Sequence, residues 1–192
     1  VYEIEGFNTI LTEGVDRILQ WRSPLYAYKN YSKSITLLLK YYQLADDIAF
    51  RFSNRDWPEY PLTVNKFVSW IDHLTLGETQ GRNQFLNLFM DYETFGEHQW
   101  ASSGIFEFMR YFPSEVLSKQ HLGFATPNEV SSLSNYQQES LSFPEAVSWA
   151  DEQRDLSAWL ENDMQHNAIE TLYSLRSEER RVGQACRSRW SP

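Results

Sequence analysis

The sequence predicts an α/β fold built on a parallel sheet, and three observations support this prediction. Short apolar runs of strand length recur along the chain, and stretches with apolar residues at helical spacing separate them. The chain has 192 residues, of which 42% are hydrophobic, so it can bury a sizeable core. Strands that alternate with helices form βα units, and strands that are apolar throughout belong in a doubly wound sheet or a barrel. The strand-like runs are few, so we expect an incomplete sheet.

The first part of the chain alternates strand and helix patterns. Residues 7–12 (FNTILT) form an apolar, β-branched run that predicts a strand. Residues 15–21 look helical until Ser23 and Pro24, because the residue before a proline disfavours the helical conformation. The run ITLLL at 35–39 predicts a second strand, and residues 44–52 have the apolar spacing of a helix.

The centre of the chain carries the strongest strand pattern. A loop at 56–61 (DWPEYP) precedes an amphipathic helix at 63–74, and residues 77–83 form a polar connection. Residues 84–92 (QFLNLFMDY) are rich in apolar and aromatic residues, and they predict a strand.

The rest of the chain is predicted to be mostly helical. Apolar and aromatic residues favour a helix at 102–112 and a second one at 114–121. Residues 126–142 are rich in Ser, Asn and Gln, which favours an exposed loop. Residues 144–175 are expected to contain one or two long helices.

Composition excludes several classes of partner. The net charge of −9 would repel nucleic acid and anionic membranes, so we expect neither as a partner. No stretch reaches the ~18–20 apolar residues of a membrane-spanning helix, and we expect a cytoplasmic protein. The single cysteine excludes a disulfide framework. The aromatic content of 16% suits either a packed core or platforms for neutral polar ligands such as sugars.

The two ends of the chain are unusual. The sequence begins with Val1 rather than Met, so we expect the gene to begin further upstream. Residues 176–192 hold 5 of the 17 basic residues and the single cysteine, and they resemble a translated sequencing adapter. We expect this tail to be non-native, the alternative being a basic tail that contacts an anionic partner.

The segment at residues 90–100 (MDYETFGEHQW) carries the chemically most informative side chains. Because side chains alternate across a strand, Asn87, Phe89, Asp91 and Glu93 are predicted to share one face. Asp91 would stand at the carboxyl end of the strand, where catalytic side chains emerge in a parallel α/β barrel. A partly desolvated carboxyl group near other acids can hold a proton near neutral pH.

Four interpretations of this segment stay open on the residues alone. Asp91, Glu93, Glu97 and His98 could bind a divalent metal ion, although their spacing matches no recognised ligand pattern. Asp91 could be one carboxylate of a glycosidase, whose second carboxylate lies about 5–5.5 Å away in a retaining enzyme and roughly 6.5–9.5 Å away in an inverting one. It could belong to a Ser/His/Asp arrangement, but the sequence has no nucleophile-elbow motif. The cluster could also be purely structural.

The segment DYETFGEHQW, followed by GIFEFMRYFPSEVL, resembles the signature of glycoside hydrolase family 57, in its α-amylase-like branch. The resemblance extends to ILTEGVDRILQWRSP at 10–24, to LLLKYYQLADDIAFRFSNRDWPEYPLT at 37–63 and to DLSAWLENDMQ at 155–165. Together these ordered blocks run over nearly all of residues 7–175.

This resemblance implies a retaining enzyme that acts on α-glucan polysaccharides or oligosaccharides by hydrolysing α-1,4-glucosidic bonds, with no metal ion or other cofactor. It implies an incomplete parallel (β/α)7 barrel followed by helices. Residues 1–125 would belong to the barrel, and residues 126–175 would form a loop and helical segment packed on it. The Asp of the DYE motif is the general acid/base of the family and corresponds to Asp91.

The resemblance also leaves open what the chain does. The nucleophile of the family is a Glu on an earlier strand that has no counterpart here, so we expect a fragment that is inactive by itself. A 4-α-glucanotransferase of the same family and a non-catalytic α-glucan-binding protein are the alternatives. A metal-dependent polysaccharide deacetylase on a similar barrel is a further one.

Several other residues are predicted to contact the sugar, each with a structural alternative. Glu13 could line the cleft or form an ion pair with Arg17 or Arg22. Trp21 and Arg22 could stack on glucose units or hydrogen-bond to them, or they could simply pack in a loop. Asp46 and Asp47 follow the second strand, where they could bind a sugar hydroxyl or cap the next helix.

The remaining candidates lie after the predicted acid. The residues expected to shape the neighbouring sugar subsites are Glu93, Glu97, His98 and Trp100. The alternative for His98 is a hydrogen bond within the loop. Trp159, Asn162 and Gln165 are spaced by three and are predicted to lie near one face of one helix, with Trp159 in the core and the two amides as cleft contacts.

Overall fold

The computed structural model describes residues 6–32, 34–75, 82–133 and 139–188, with side chains up to residue 176. The chain divides into two compact units, Val1–Phe143 and Pro144–Pro192, and each is described by itself. The sequence places the domain boundary earlier, at 125/126, and that assignment stays a prediction. Most of the polar connection expected at 77–83 lies outside the described residues.

A mixed sheet organises the first unit. Its strands are β1 (Thr9–Glu13), β2 (Tyr28–Lys29) and β3 (Thr36–Lys40), in the order β1-β3-β2. β1 and β3 are parallel, and α1 (Asp16–Leu19) follows β1 along the chain. This confirms the first two strands and the helix between them. β2 is antiparallel to β3 and has only two residues, too few for a periodic pattern to predict it.

Strand β3 is buried on both faces, as expected for a strand in a parallel pair. Leu37 and Leu39 pack with Leu19 on one side of the sheet. Leu38 packs with Val130 on the other side. Neither face of the strand meets water, and this explains why its sequence is a continuous apolar run.

Residues 84–92 do not form a strand, contrary to the sequence prediction. The segment pairs with the sheet at one point, where Asn87 lies parallel to Lys40. There, Tyr41 N donates to the carbonyl of Asn87 at 2.9 Å. β1 occupies one edge of β3, and β2 pairs with Thr36 and Leu37 on the other edge. Only the carboxyl end of β3 is thus left for the segment, which prevents a longer ladder.

Three helices enclose the main apolar core of the first unit. α2 (Tyr42–Asp46) is continued by a π-helical turn (Asp47–Arg51), followed later by α3 (Val64–Thr75) and α4 (Ile105–Leu117). The helices predicted at 44–52 and 63–74 are confirmed. The buried cluster that joins them consists of Leu44, Ile48, Phe52, Leu62, Phe67, Ile71, Ile105 and Phe108.

Two predictions for the following region were wrong. The helices expected at 102–112 and 114–121 are one continuous helix, α4, which runs through Pro113. Phe108 and Val116, on either side of the proline, are both buried, and their packing outweighs the missing backbone donor.

The segment expected to be a loop at 126–142 contains a helix, α5 (Pro127–Leu133). Thr126 and Glu129 form a capping box, in which Thr126 N donates to Glu129 Oε2 at 2.7 Å and Glu129 N donates to Thr126 Oγ1 at 3.4 Å. These bonds to Thr126 lower the pKa of the Glu129 carboxyl group. The sequence TPNE carried this start signal.

The second unit contains α6 (Ser157–Leu160) and α7 (Asp163–Ser188). α7 continues into the segment expected to be non-native, and the origin of that segment stays a prediction. Among the described residues, no helix combines the length and the apolar character needed to cross a membrane.

Candidate functional site

The carboxyl ends of the two parallel strands carry a buried ion pair. Glu13 is the last residue of β1 and lies opposite Lys40, the last residue of β3. Lys40 Nζ is 3.0 Å from Glu13 Oε1, and the two side chains are only 7% and 6% exposed. A side chain at Gly14 would overlap the Lys40 carbonyl, so this tight packing of the strand ends requires glycine. The predicted sugar contact at Glu13 is thus a carboxylate already held by a cation.

The segment that leads to Asp91 runs beside this pair. Asn87 Nδ2 donates to the carbonyl of Leu39 at 3.0 Å, and Lys40 Nζ lies 5.6 Å from the centre of the Phe89 ring. The intervening residues Leu86, Leu88 and Met90 pack instead against the main core. The expected alternation of side chains therefore holds up to residue 90, although the segment is not a strand. It ends at Asp91, which is extended and exposed.

Residues 91–100, which we call the 91–100 loop, are closed by their own backbone hydrogen bonds. Thr94 N donates to the carbonyl of Asp91 at 3.1 Å, and Gln99 N donates to the carbonyl of Thr94 at 2.9 Å. Gly96 has a φ of 121°, a conformation that favours glycine, and its N–H donates to the carbonyl of Gln99 at 3.0 Å. Thr94 and Gln99 are buried and anchor the loop.

The other chemically active side chains of the loop face outward. Asp91, Glu93, Glu97 and His98 are exposed. The aromatic side chains of Tyr92 and Trp100 are 93% and 68% exposed. The described residues around Asp91 do not provide the partial desolvation expected of a catalytic acid.

The prediction that Glu93 shares a strand face with Asp91 was wrong. Tyr92–Thr94 form a 3₁₀ turn that begins directly after Asp91, so the two-residue alternation ends there. Instead, the carbonyl of Glu93 accepts the N–H groups of Glu97 and His98, each at 3.1 Å. The backbone of Glu93 thus holds the loop, while its side chain faces solvent.

Trp21 and Arg22 lie beyond α1. The Trp21 ring is exposed, and the Arg22 guanidinium lies 4.9 Å from its centre. Arg22 Nε is also 3.4 Å from Glu139 Oε2. Arg22 is therefore held on two sides, whereas the indole ring is open to a ligand.

The acidic pair Asp46 and Asp47 does not cap the helix that follows β3, contrary to one of the predicted roles. That helix begins at Tyr42, so both residues lie at its far end, where the π-helical turn begins. Arg51 Nε donates to Asp47 Oδ1 at 2.6 Å. Burial raises the pKa of Asp47, and this bond to the arginine opposes the rise.

The last three candidates lie in the second unit and do not share one helix, which corrects the prediction. Trp159 belongs to α6 and is 44% exposed, so it does not lie in the core as predicted. Its ring meets that of Trp149 edge to face, with ring centres 6.4 Å apart. Asn162 and Gln165 cap α7: Gln165 N donates to Asn162 Oδ1 at 3.0 Å, and Asn162 N donates to Gln165 Oε1 at 3.1 Å. This reciprocal pair begins a new helix.

Two residues of the site were missed by sequence reasoning. Lys40 closes the apolar run TLLLK of β3, and a cation at the end of a buried strand was a signal that could have found it. Gln99 lies within the segment DYETFGEHQW, where the sequence does not distinguish it from its exposed neighbours. Burial distinguishes it, and no local pattern indicates burial.

The described residues contain no group of three or more His, Cys, Asp or Glu side chains that could hold a metal ion. A general acid/base needs no metal ligand, only an accessible carboxyl group on a rigid support. Asp91 is an exposed carboxyl group at the junction between the segment 84–90 and the 91–100 loop.

Comparisons with other proteins relate the chain to one family. The family model described as Glycosyl hydrolase family 57 matches residues 1–144, which include Asp91 and the whole 91–100 loop. A curated protein of Methanocaldococcus jannaschii, named "Putative alpha-amylase", is 46% identical over 168 residues. That match covers 87% of this chain and 34% of the relative, so the chain spans about a third of the relative's length. No solved structure matches the chain.

Proposed function

Because the chain belongs to glycosyl hydrolase family 57, we propose that it supplies the general acid/base, Asp91, of a retaining glycosidase that acts on α-1,4-glucans. The observation that carries this assignment is the position of Asp91. The segment that precedes Asp91 passes the carboxyl end of the parallel strands β1 and β3, and Asp91 is exposed where this segment stops. The carboxyl edge of a parallel sheet is where α/β enzymes place catalytic groups.

Asp91 would act twice in each turnover. In the first step its carboxyl group donates a proton to the glycosidic oxygen while the C1–O bond breaks and a nucleophilic carboxylate bonds to C1. In the second step the Asp91 carboxylate takes a proton from water, which attacks C1 and releases the nucleophile. We infer that the nucleophile is a Glu outside these 192 residues, because none of them matches the family's nucleophile block.

The substrate class is inferred from the relative's name and from the exposed aromatic side chains. Trp100 and Tyr92 lie in the same loop as Asp91, and their rings present apolar faces to solvent. Such rings suit the apolar faces of glucose units, and Glu97 and His98 could bind their hydroxyl groups. We assign these four residues, together with Trp21, to sugar subsites.

The proposal is tested with the protein expressed from its complete reading frame. We expect Asp91→Asn to lower the release of reducing sugar from soluble starch by about 10²-fold or more, because the amide cannot exchange the proton. Asp56→Asn is the matched control, since Asp56 is an exposed acid in the loop before α3, and it should keep normal activity.

Near-normal starch hydrolysis by Asp91→Asn would refute the assignment. If the protein from the complete reading frame binds starch without cleaving it, the alternative of a non-catalytic glucan-binding protein is supported instead. Chromatography of the products from maltooligosaccharides separates hydrolysis from transfer, because transfer yields chains longer than the substrate.

A further inference from the structure

The side chain of Gln99 connects the 91–100 loop to a neighbouring helix. Gln99 is only 3% exposed, and its Nε2 donates to the carbonyl of Ala49 at 2.9 Å. Ala49 lies in the π-helical turn Asp47–Arg51, the last turn of its helix. Carbonyl groups in a last helical turn lack partners within the helix. The Gln99 amide supplies a donor to the carbonyl of Ala49 in that turn.

Gln99 is also linked to Asp91 through the backbone. Its N–H donates to the carbonyl of Thr94, and the N–H of Thr94 donates to the carbonyl of Asp91. Hydrogen bonds thus connect the carbonyl of Ala49 to the backbone of Asp91 through two buried residues. The helix that contains Ala49 is itself fixed in the main core by Leu44 and Ile48.

Asp91 has weaker support of its own. Its side chain is exposed, and its backbone lies at the junction between the irregular segment 84–90 and a 3₁₀ turn. A catalytic acid must be held close to its productive geometry, and a displacement of about 1 Å can lower the rate about 10²-fold. The position of Asp91 therefore depends on what fixes the loop.

We propose that Gln99 is a positioning residue for Asp91, which it acts on by anchoring the 91–100 loop to the carbonyl of Ala49. This inference rests on the proposed function of Asp91. Among the described residues Gln99 Oε1 has no hydrogen-bond partner, so the bond from Nε2 to the carbonyl of Ala49 is the contact by which this amide holds the helix.

The test uses Gln99→Met in the protein expressed from its complete reading frame. Methionine keeps the length of the side chain and removes the donor. We expect kcat/KM for a maltooligosaccharide to fall about 10- to 100-fold, with most of the loss in kcat rather than in KM. Gln99→Asn, whose amide is too short to reach Ala49, should show the same loss if the methionine variant fails to fold.

A substrate with an activated leaving group shows whether the loss concerns the acid. An aryl α-maltooligosaccharide with a dinitrophenol leaving group needs no proton from Asp91 in the first step, so its kcat/KM should be nearly unchanged in Gln99→Met. Equal losses on both substrates, or no loss on either, would overturn the inference.

Tyr28→Phe is the matched control for the loss of a buried bond. Tyr28 is buried, and its hydroxyl donates to the carbonyl of Ser23 at 2.7 Å, so this bond involves no residue of the 91–100 loop. This variant should lose stability but keep its kcat on both substrates below the unfolding temperature. Asp91→Asn distinguishes the two hypotheses: if it stays active the proposed function fails, and if it is inactive while Gln99→Met is normal only the positioning role fails.

Discussion

Burial separates the acidic side chains of the first unit into two groups. Glu13 is buried against Lys40, and Asp47 is largely buried against Arg51. Asp91 and the acids of its loop are exposed. A carboxylate that already has a cation at 3 Å has its charge satisfied, whereas an exposed one can meet a substrate. The structure therefore favours a supporting role for Glu13, whereas Asp91 is accessible for the role proposed for it.

This distinction predicts different costs for two acid substitutions. Glu13→Gln leaves the Lys40 ammonium buried without its counter-ion, and we expect a loss of about 3–5 kcal/mol in the free energy of unfolding. Glu107→Gln breaks a pair with Arg110 that is 3.9 Å long and exposed, so it should cost at most about 1 kcal/mol. Chemical denaturation measures both. A stable Glu13→Gln protein with a raised KM for starch would instead assign Glu13 to the substrate.

The helices and turns are defined by bonds at their ends. Thr126 with Glu129 begins α5, and Asn162 with Gln165 begins α7, each pair by reciprocal hydrogen bonds. In the same way, the 3₁₀ turn after Asp91 ends the alternation of the preceding segment. The point at which one secondary-structure element gives way to the next thus decides which neighbouring side chains share a face.

For α7, the capping role can be separated from sugar binding by two substitutions. Asn162→Ala should cost about 1 kcal/mol, because it leaves the N–H of Gln165 without its acceptor. Asn162→Ser should retain most of that stability, since serine is also a favoured N-cap. Thermal unfolding gives the stability, and KM for starch gives the binding. A KM raised equally by both substitutions would show that the amide contacts the sugar.

At the scale of the first unit, one apolar core supports the site. Phe67 of α3 is fully buried and makes ring contacts with Phe108 and Phe112 of α4 at 5.6 and 5.7 Å. The segment that precedes Asp91 packs on the same core through Leu88 and Met90. The packing that stabilises the helices therefore also fixes the approach to the candidate acid.

This arrangement predicts that Phe67→Ala lowers the free energy of unfolding by about 3–5 kcal/mol, because it removes a fully buried ring and leaves a cavity. Phe50→Ala is the control: that ring is 59% exposed, and its loss should cost far less. Denaturant unfolding of the two variants gives the comparison. Similar losses of unfolding free energy in the two variants would contradict the prediction that Phe67 is a central residue of the core.

Much of the fold could be predicted from local patterns, and the failures have identifiable causes. The apolar runs identified β1 and β3 because both strands are buried, and helical spacing identified α3. The run at 84–92 is also rich in apolar residues, but strand β3 leaves it little free edge for backbone pairing. The helix start at Thr126 was encoded by a capping signal, which the Ser- and Asn-rich composition obscured.

The sequence by itself determined the family resemblance, the candidate acid Asp91 and the alternation of side chains leading to it, because motifs and periodicity involve residues close together in the chain. Only the tertiary structure decided that Glu13 pairs with Lys40 and that Gln99 bonds Ala49. These partners lie 27 and 50 positions apart, and packing alone sets which of the polar groups lose their contact with water.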